Sequence, residues 1–187
     1  MERESQQSPL GTGNSGRIND QAVLPHLLRE NLAILFVGIN PGLRSAAVGH
    51  HFAGRSNRFW RFLFEAGLTS ERLRGEEDQR LLEWNFGVTN IVSRPSAAAA
   101  ELTPAEFREG ALLLLERIRK YRPRIVAYLG KDIYRYFSNR QDLRWGAQTP
   151  GVVEGSVDFL LPNPSGLNRM PIPEQLAYYQ ELKKLVE

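Results

Sequence analysis

Asn40 sits in the pentapeptide Gly38-Ile39-Asn40-Pro41-Gly42, directly after the apolar run Ala33 to Val37. An asparagine amide is no general base near neutral pH, but it donates and accepts hydrogen bonds and so can orient a water molecule. Pro41 drives Asn40 out of the helical region and the flanking glycines permit a tight turn, so that amide would be held in one pose. Taken alone, the pentapeptide reads more readily as an asparagine capping its own turn. A second segment, Asn163-Pro164-Ser165-Gly166-Leu167-Asn168-Arg169, follows the apolar run Phe159 to Leu161 and carries one apolar side chain, Leu167, on an otherwise polar loop. Both segments read as loops leaving the carboxyl ends of buried strands, the end of an α/β sheet where ligands bind.

Other reactive side chains are few. His50 and His51 are adjacent in a loop, where neighbours usually point in different directions; His51 is the better candidate for a cleft, and loop hydrogen bonding is the alternative. His26 precedes the first strand and reads as structural or exposed, and the three histidines have no metal-site spacing. Lys131, after Gly130, could form a Schiff base with a carbonyl substrate, although a lysine at a helix start is more often solvated or a phosphate contact. Arg55, Arg58 and Arg61 recur every three residues and form either an anion-facing ridge or a solvated helix face. Phe59, Trp60, Phe62 and Phe64 lie on the same stretch and read as core, while Trp145 beside Arg144 is ambiguous.

The chain has no cysteine, which excludes disulfides, thiolate catalysis, zinc-thiolate sites and iron–sulfur clusters. A formal charge of +3 leans towards a polyanionic partner. Of the 24 basic residues only Lys120, Lys131, Lys183 and Lys184 are lysines, and arginine suits bidentate phosphate contacts. No apolar run approaches the roughly 20 residues that cross a bilayer, and the first residues have neither a signal-peptide core nor a transit pattern. A soluble, cytoplasmic protein is expected.

At 187 residues one domain is the default. Residues 1–20 have the Gly, Ser, Gln and charge content of a disordered tail, with the domain spanning 21–187. The tail contains Gly11-Thr-Gly-Asn-Ser-Gly16, a match to the dinucleotide fingerprint without the strand that fingerprint requires. Beyond it, strands are expected at Ala33–Gly38, Arg124–Leu129 and Val157–Leu161. Helices are expected at Asn57–Ala66, Gln79–Trp84, from Thr103 to about Tyr121, at Lys131–Phe137 and at Glu174–Val186, with an irregular stretch from Trp84 to Arg94-Pro95. Thr103-Pro104-Ala105-Glu106 combines a capping Thr, Pro at the first helical position and Glu three residues after the cap. Alternating strands and helices predict an α/β fold, a three-layer α/β/α sandwich around a mostly parallel sheet.

The two loop motifs resemble those of the mismatch-specific uracil-DNA and thymine-DNA glycosylases, a branch of the uracil-DNA glycosylase superfamily. The resemblance continues through Leu43 to Thr69 with its GHHF and NRFW stretches, through Gly87-Val88-Thr89-Asn90, Arg94-Pro95, the EFREG helix and the Arg122-Pro-Arg-Ile strand entry, and covers essentially Leu32 to Glu187. It implies a uracil-DNA glycosylase-like fold and a monofunctional enzyme. Such an enzyme flips uracil out of DNA, preferentially from G·U mismatches, and hydrolyses its N-glycosidic bond for base excision repair. The substrate would be double-stranded DNA with a uracil or mismatched base, or single-stranded DNA, bound by a monomer near the nucleoid without metal or organic cofactor.

By the same resemblance Asn40 positions the attacking water, Phe52 stacks on the extruded base, and backbone groups around Ile39 and Phe52 bond its edge. Ser45 would lie near C5, and Asn90 would face the polar edge. Gly166, Leu167 and Asn168 would fill the gap in the duplex and contact the orphaned guanine, with Arg169 holding that wedge or its phosphates. Extrusion costs a few kcal/mol and is cheapest at wobble pairs, and an apolar wedge suits it. Asn40 only orients water, which implies slow chemistry with tight product binding. Ser45 stands where the thymine-preferring branch tends to have alanine, Asn90 matches that branch, and Gly54-Arg55 departs from the His-Pro of some relatives, so the substrate signatures are mixed. The alternatives are a lesion- or mismatch-binding protein with negligible turnover and a small-nucleotide enzyme, which would need no Leu167 wedge.

Overall fold

The computed structural model describes residues 23–187; the expected tail and the Gly11–Gly16 motif lie outside them. Strand β1 (Ile34–Gly38) is buried at every residue, as a strand covered on both faces must be. It pairs in parallel with β2 (Phe86–Asn90) and with β3 (Ile125–Leu129), which pairs in parallel with β5 (Val157–Leu161). A short β4 (Gly146–Gln148) closes one edge antiparallel to β5, giving the order β2-β1-β3-β5-β4.

Side chains alternate across the sheet. Ile34 and Phe36 face a core formed with α2 (Phe59–Glu65) and α5 (Ile172–Lys184). Leu35 and Val37 face the other core, formed with α3 (Pro104–Tyr121) and α4 (Lys131–Ser138). The fold is therefore the expected three-layer α/β/α sandwich. The chain runs from β1 to β2 on one side and then crosses back to β3 on the other, so the strand order reverses at β1. A crevice opens outside the carboxyl ends of the strands at such a switch point.

The capping box at Thr103 forms as read: Thr103 Oγ1 accepts from the Glu106 N–H at 3.3 Å and Glu106 Oε2 accepts from the Thr103 N–H at 2.8 Å. Elsewhere boundaries move. The helix expected from Asn57 begins at Phe59, and Asn57 forms a turn ahead of it, its Oδ1 accepting from the Phe59 N–H at 2.9 Å. The helix expected from Glu174 begins at Ile172. The expected helix Gln79–Trp84 is the second half of a 3-10 segment, Gly75–Trp84.

The stretch expected to be irregular contains β2. Its sequence, FGVTN, lacks a strong strand signature, and tertiary contacts decide it. Val88 exchanges two backbone hydrogen bonds with Leu27 on the side away from β1, and Gly87 lets Leu27 approach, since a Cβ there would lie 2.4 Å from the Leu27 carbonyl oxygen. A short helix α1 (Leu43–Val48) was likewise not foreseen.

Candidate active site

A cleft of about 210 Å³ lies at the switch point, bordered by all four parallel strand ends: Gly38 of β1, Asn90 of β2, Leu129 of β3 and Asn163 after β5. That is about seven waters' share of liquid volume, the scale of one heteroaromatic base. Asn40, Ile39, Ser45, His51 and Phe52 also line it, so the sequence-expected base-pocket residues converge from stretches up to fifty residues apart. Among the lining residues Arg44 is the only formally charged one, and no carboxylate is present.

Asn40 is held by its nitrogen. Nδ2 donates to the Arg94 carbonyl at 2.9 Å and to Ser96 Oγ at 2.8 Å. The carbonyl can only accept, and the Ser96 hydroxyl already donates to the Ala98 carbonyl, so the amide orientation is fixed by its neighbours. Oδ1 meets no donor among the described residues and remains available to a water. The turn beneath is anchored by Ile91 and Val92, whose N–H groups donate to the Gly38 and Ile39 carbonyls at 2.9 Å. Asn90 Oδ1 lies so close to Gly38 that a Cβ there would approach it to 2.5 Å, which explains the glycine.

Phe52 adopts a left-handed backbone, φ 51°, a conformation that costs a non-glycine residue about 1–3 kcal/mol and persists only where its surroundings enforce it. Three bonds do so here. The His51 N–H donates to Asp78 Oδ2 at 2.8 Å, the Ala53 N–H donates to Ser45 Oγ at 3.0 Å, and Arg44 Nε donates to the Ala53 carbonyl at 2.9 Å. The Phe52 ring stacks on Phe59 with centroids 3.9 Å apart. Ser45, read as a neighbour of the base, thus also fastens the turn that carries Phe52.

The two histidines separate. His50 Nδ1 lies 3.2 Å from Asp78 Oδ1 and is not part of the cleft lining. His51 is 2% exposed and borders the cleft. Its Nε2 lies 2.8 Å from the Pro25 carbonyl, which can only accept, so Nε2 carries the proton. Burial lowers its pKa, keeping the ring neutral and a poor base. His26, read as structural or exposed, is partly buried behind the cleft: Nδ1 meets Thr89 Oγ1 at 3.0 Å, and Arg117 donates to the Asn90 carbonyl at 3.2 Å. Burial first, then Arg117 and His51, lower the His26 pKa to about 4.

The second motif forms a loop beside the cleft that builds its own frame. Asn163 Oδ1 accepts from the Ser165 N–H at 2.9 Å, Ser165 Oγ from the Leu167 N–H at 3.2 Å, and Asn168 Oδ1 from the Met170 N–H at 3.0 Å. Arg58 clamps it from outside, donating to the carbonyls of Ser165 at 3.2 Å, Gly166 at 3.2 Å and Asn168 at 3.4 Å. Gly166 presses on Ser56, whose Cβ would lie 2.5 Å from an added Cβ. At the tip Leu167 is 89% exposed, the most exposed large apolar side chain among the described residues.

A model of the uracil DNA glycosylase superfamily matches residues 25–186. The chain belongs to that superfamily. Its members are DNA glycosylases, hydrolases that act on DNA. The match takes in both loops, the clamp and every cleft-lining residue but Leu24.

In this superfamily member several residues near the loops went unrecognised in the sequence. Arg58, read with Arg55 and Arg61 as one ridge, turns into the second loop, whereas Arg61 pairs with Glu65 at 2.7 Å and Arg55 is exposed. The holding expected of Arg169 is done by Arg58; Arg169 is exposed and makes no hydrogen bond among the described residues. Asp78 and Ser96 are buried anchors with no local motif to announce them, and Asn163 had been read only as part of its loop. Lys131 lies outside the cleft lining, its Nζ 4.6 Å above the Trp145 ring, which also accounts for that tryptophan. Phe59, Trp60 and Phe62 are core as read, but Phe64 is 43% exposed. No group of three or more potential metal ligands occurs among the described residues, and no described helix is long and apolar enough to cross a membrane.

Proposed function

We propose that the protein is a monofunctional DNA glycosylase of the mismatch-specific branch that hydrolyses the N-glycosidic bond of uracil, preferentially opposite guanine, and leaves an abasic site. The observation that carries this reading is the pose of Asn40. Its amide nitrogen is spent on Arg94 and Ser96, and its oxygen is left to a water beside a base-sized cleft.

The base enters between Ile39 and Phe52, with the Phe52 ring, backed by Phe59, stacking on it. The Phe52 N–H, unpartnered among the described residues, and Asn90 hydrogen-bond the polar edge. Donors aimed at the carbonyl oxygens stabilise the base as it leaves with the bonding electrons, and the sugar passes through an oxocarbenium-like state. Water held by Asn40 Oδ1 then adds to C1′. With no carboxylate in the lining and His51 neutral, nothing in the cleft takes the water's proton early, so the reaction depends on departure of the base and is slow. Ser45 stands where a 5-methyl group would press, which favours uracil over thymine.

Leu167 on its braced loop fills the gap that extrusion leaves, with Asn168 and Gly166 against the orphaned guanine and Arg169 towards a phosphate. The test uses end-labelled duplexes carrying G·U, A·U, G·T or a matched pair, and single-stranded uracil, developed with and without alkali. Alkali-dependent breaks strongest at G·U, and lost in Asn40→Ala, are expected. Breaks without alkali would contradict a monofunctional enzyme, and binding without any breaks would contradict catalysis.

A further inference from the structure

A second cleft, of about 460 Å³, opens on the far side of the Phe52–Gly54 turn, and Phe52, Gly54 and Asn57 belong to the walls of both. Its charge is unlike that of the base cleft. Arg55, Arg61, Arg72 and Arg74 line it against one carboxylate, Glu76. Arg61 has Glu65 as a partner, but Arg55, Arg72 and Arg74 are exposed and form no ion pair among the described residues. The same stretch of chain shows the contrast: Arg80 alone gathers Glu71, Glu77 and Glu83 within 3.3 Å. Carboxylates are at hand, and Arg55, Arg72 and Arg74 are left without an ion pair to them.

The backbone beside Arg74 also packs on the turn that borders the first cleft. Gly75 packs so closely on Ala53 that a Cβ there would lie 3.1 Å from the Ala53 Cβ, which ties Arg72 and Arg74 to the turn carrying Phe52. Trp60 forms part of the wall, and its buried Nε1 finds no partner among the described residues. Unpaired guanidiniums gathered in one concavity repel one another unless an anion completes them, and their forked donors match phosphate oxygens.

The geometry points to a phosphate subsite: Arg72 and Arg74, with Arg55 and Arg61, receive a backbone phosphate of the target strand next to the extruded nucleotide. This rests on the DNA glycosylase reading and adds to it a determinant of strand grip outside both loop motifs. Because the two clefts share a wall, a strand whose base lies in the first passes its adjoining phosphate over Gly54 into the second. Such contacts set register and affinity without reading sequence.

The test compares the full chain with Arg72→Ala/Arg74→Ala for equilibrium binding to a short duplex carrying non-cleavable 2′-fluoro-deoxyuridine opposite guanine, over a salt series. Arg119→Ala/Arg124→Ala, which removes equal charge from exposed positions elsewhere, is the control. The cleft variant should bind about tenfold more weakly at ~0.1 M salt, its log–log salt slope should fall by about 1 for each phosphate released, and the control should match wild type. A methylphosphonate at one linkage beside the uracil should abolish the difference between wild type and variant. Unchanged affinity and slope, or an equal loss in the control, would overturn the subsite. Inorganic phosphate competing through these arginines with no linkage sensitive to methylphosphonate would assign the cleft to a free anion and overturn the strand contact. Uracil excision by wild type with no difference in binding would defeat this inference alone. A salt-slope difference without excision would defeat the glycosylase reading alone.

Discussion

The loop after β1 and the loop after β5 leave the same end of the same sheet, yet they are built to opposite ends. The first is recessed: Asn40 is tied by two hydrogen bonds, and Phe52 is held in a left-handed pose by three more. The second is projected: its polar groups are turned inward on each other and on Arg58, so that the one apolar side chain stands 89% exposed. In both, the scaffold consumes most polar atoms around one group that it leaves free, the Asn40 amide oxygen in one and the Leu167 isobutyl group in the other. The first can orient a small polar molecule, and the second can displace a stacked one.

The sharpest break in that comparison is Asn40→Ala. It removes the one free acceptor of the recessed loop, and single-turnover excision of uracil should fall by about 10²–10³, the usual effect of deleting one oriented polar group at a reacting centre. Duplex binding should stay within a few-fold, because the lost atoms face the cleft. Leu167→Ala acts on the other loop alone. Excision from duplex should fall about tenfold or more while single-stranded uracil is spared, since only the duplex has a gap to fill. Thermal stability should not change, because this side chain makes no core contact. Equal losses on both substrates would place Leu167 with the chemistry rather than with extrusion.

Arg58→Ala tests whether projection depends on bracing. Several carbonyls lose a charged donor, so the duplex rate should fall several-fold and stability by about 1–2 kcal/mol, and Arg58→Lys should rescue little because a single ammonium cannot span the same acceptors. Ser45→Ala is subtler. It opens room in the cleft, near C5 on the proposed reading, but frees the Ala53 N–H that steadies Phe52. The ratio of G·T to G·U excision should rise while the G·U rate declines a few-fold; an unchanged ratio would remove Ser45 from the specificity determinants.

The smallest effect concerns pH. His26 titrates near pH 4 in the fold and near 6.5 when unfolded. Within that window the unfolded chain holds the extra proton, so stability is full above it and is lost as pH falls through it. His51, also lowered by burial, adds in the same sense, and Asp158, raised by burial, opposes it because the folded chain retains its proton longer. Urea midpoints measured across the window should show a shallower acid loss in His26→Gln than in wild type; parallel curves would exclude His26 as the source.

Much of this was legible along the chain. The runs of β1 and β3 declared themselves because a strand covered on both faces must be apolar throughout, β5 because its Phe159–Leu161 end is apolar, and the α3 cap because its bonds lie within four residues. The loop motifs pointed to the correct end of the sheet for the same local reason: proline and glycine constrain the backbone wherever they occur. What could not be read were features whose cause is a distant neighbour. β2 is a strand because β1 and Leu27 flank it, not because of FGVTN. Arg58 serves a loop more than a hundred residues away, though its spacing matched a surface ridge. Asp78 reaches the histidine pair across twenty-seven residues, and Ser96 orients Asn40 across fifty-six.

The sequence by itself therefore determined the layered fold, the two loops and the kind of chemistry an amide and an exposed leucine can perform, because local backbone constraints and burial periodicity act over a few residues. Only the tertiary structure decided which atom of Asn40 is free, which arginine braces the loop after β5 and which arginines gather, unpaired, beside the first cleft. Hydrogen bonds and charge clusters depend on positions to within about an ångström, and those positions are set by the packing of residues far apart in the chain.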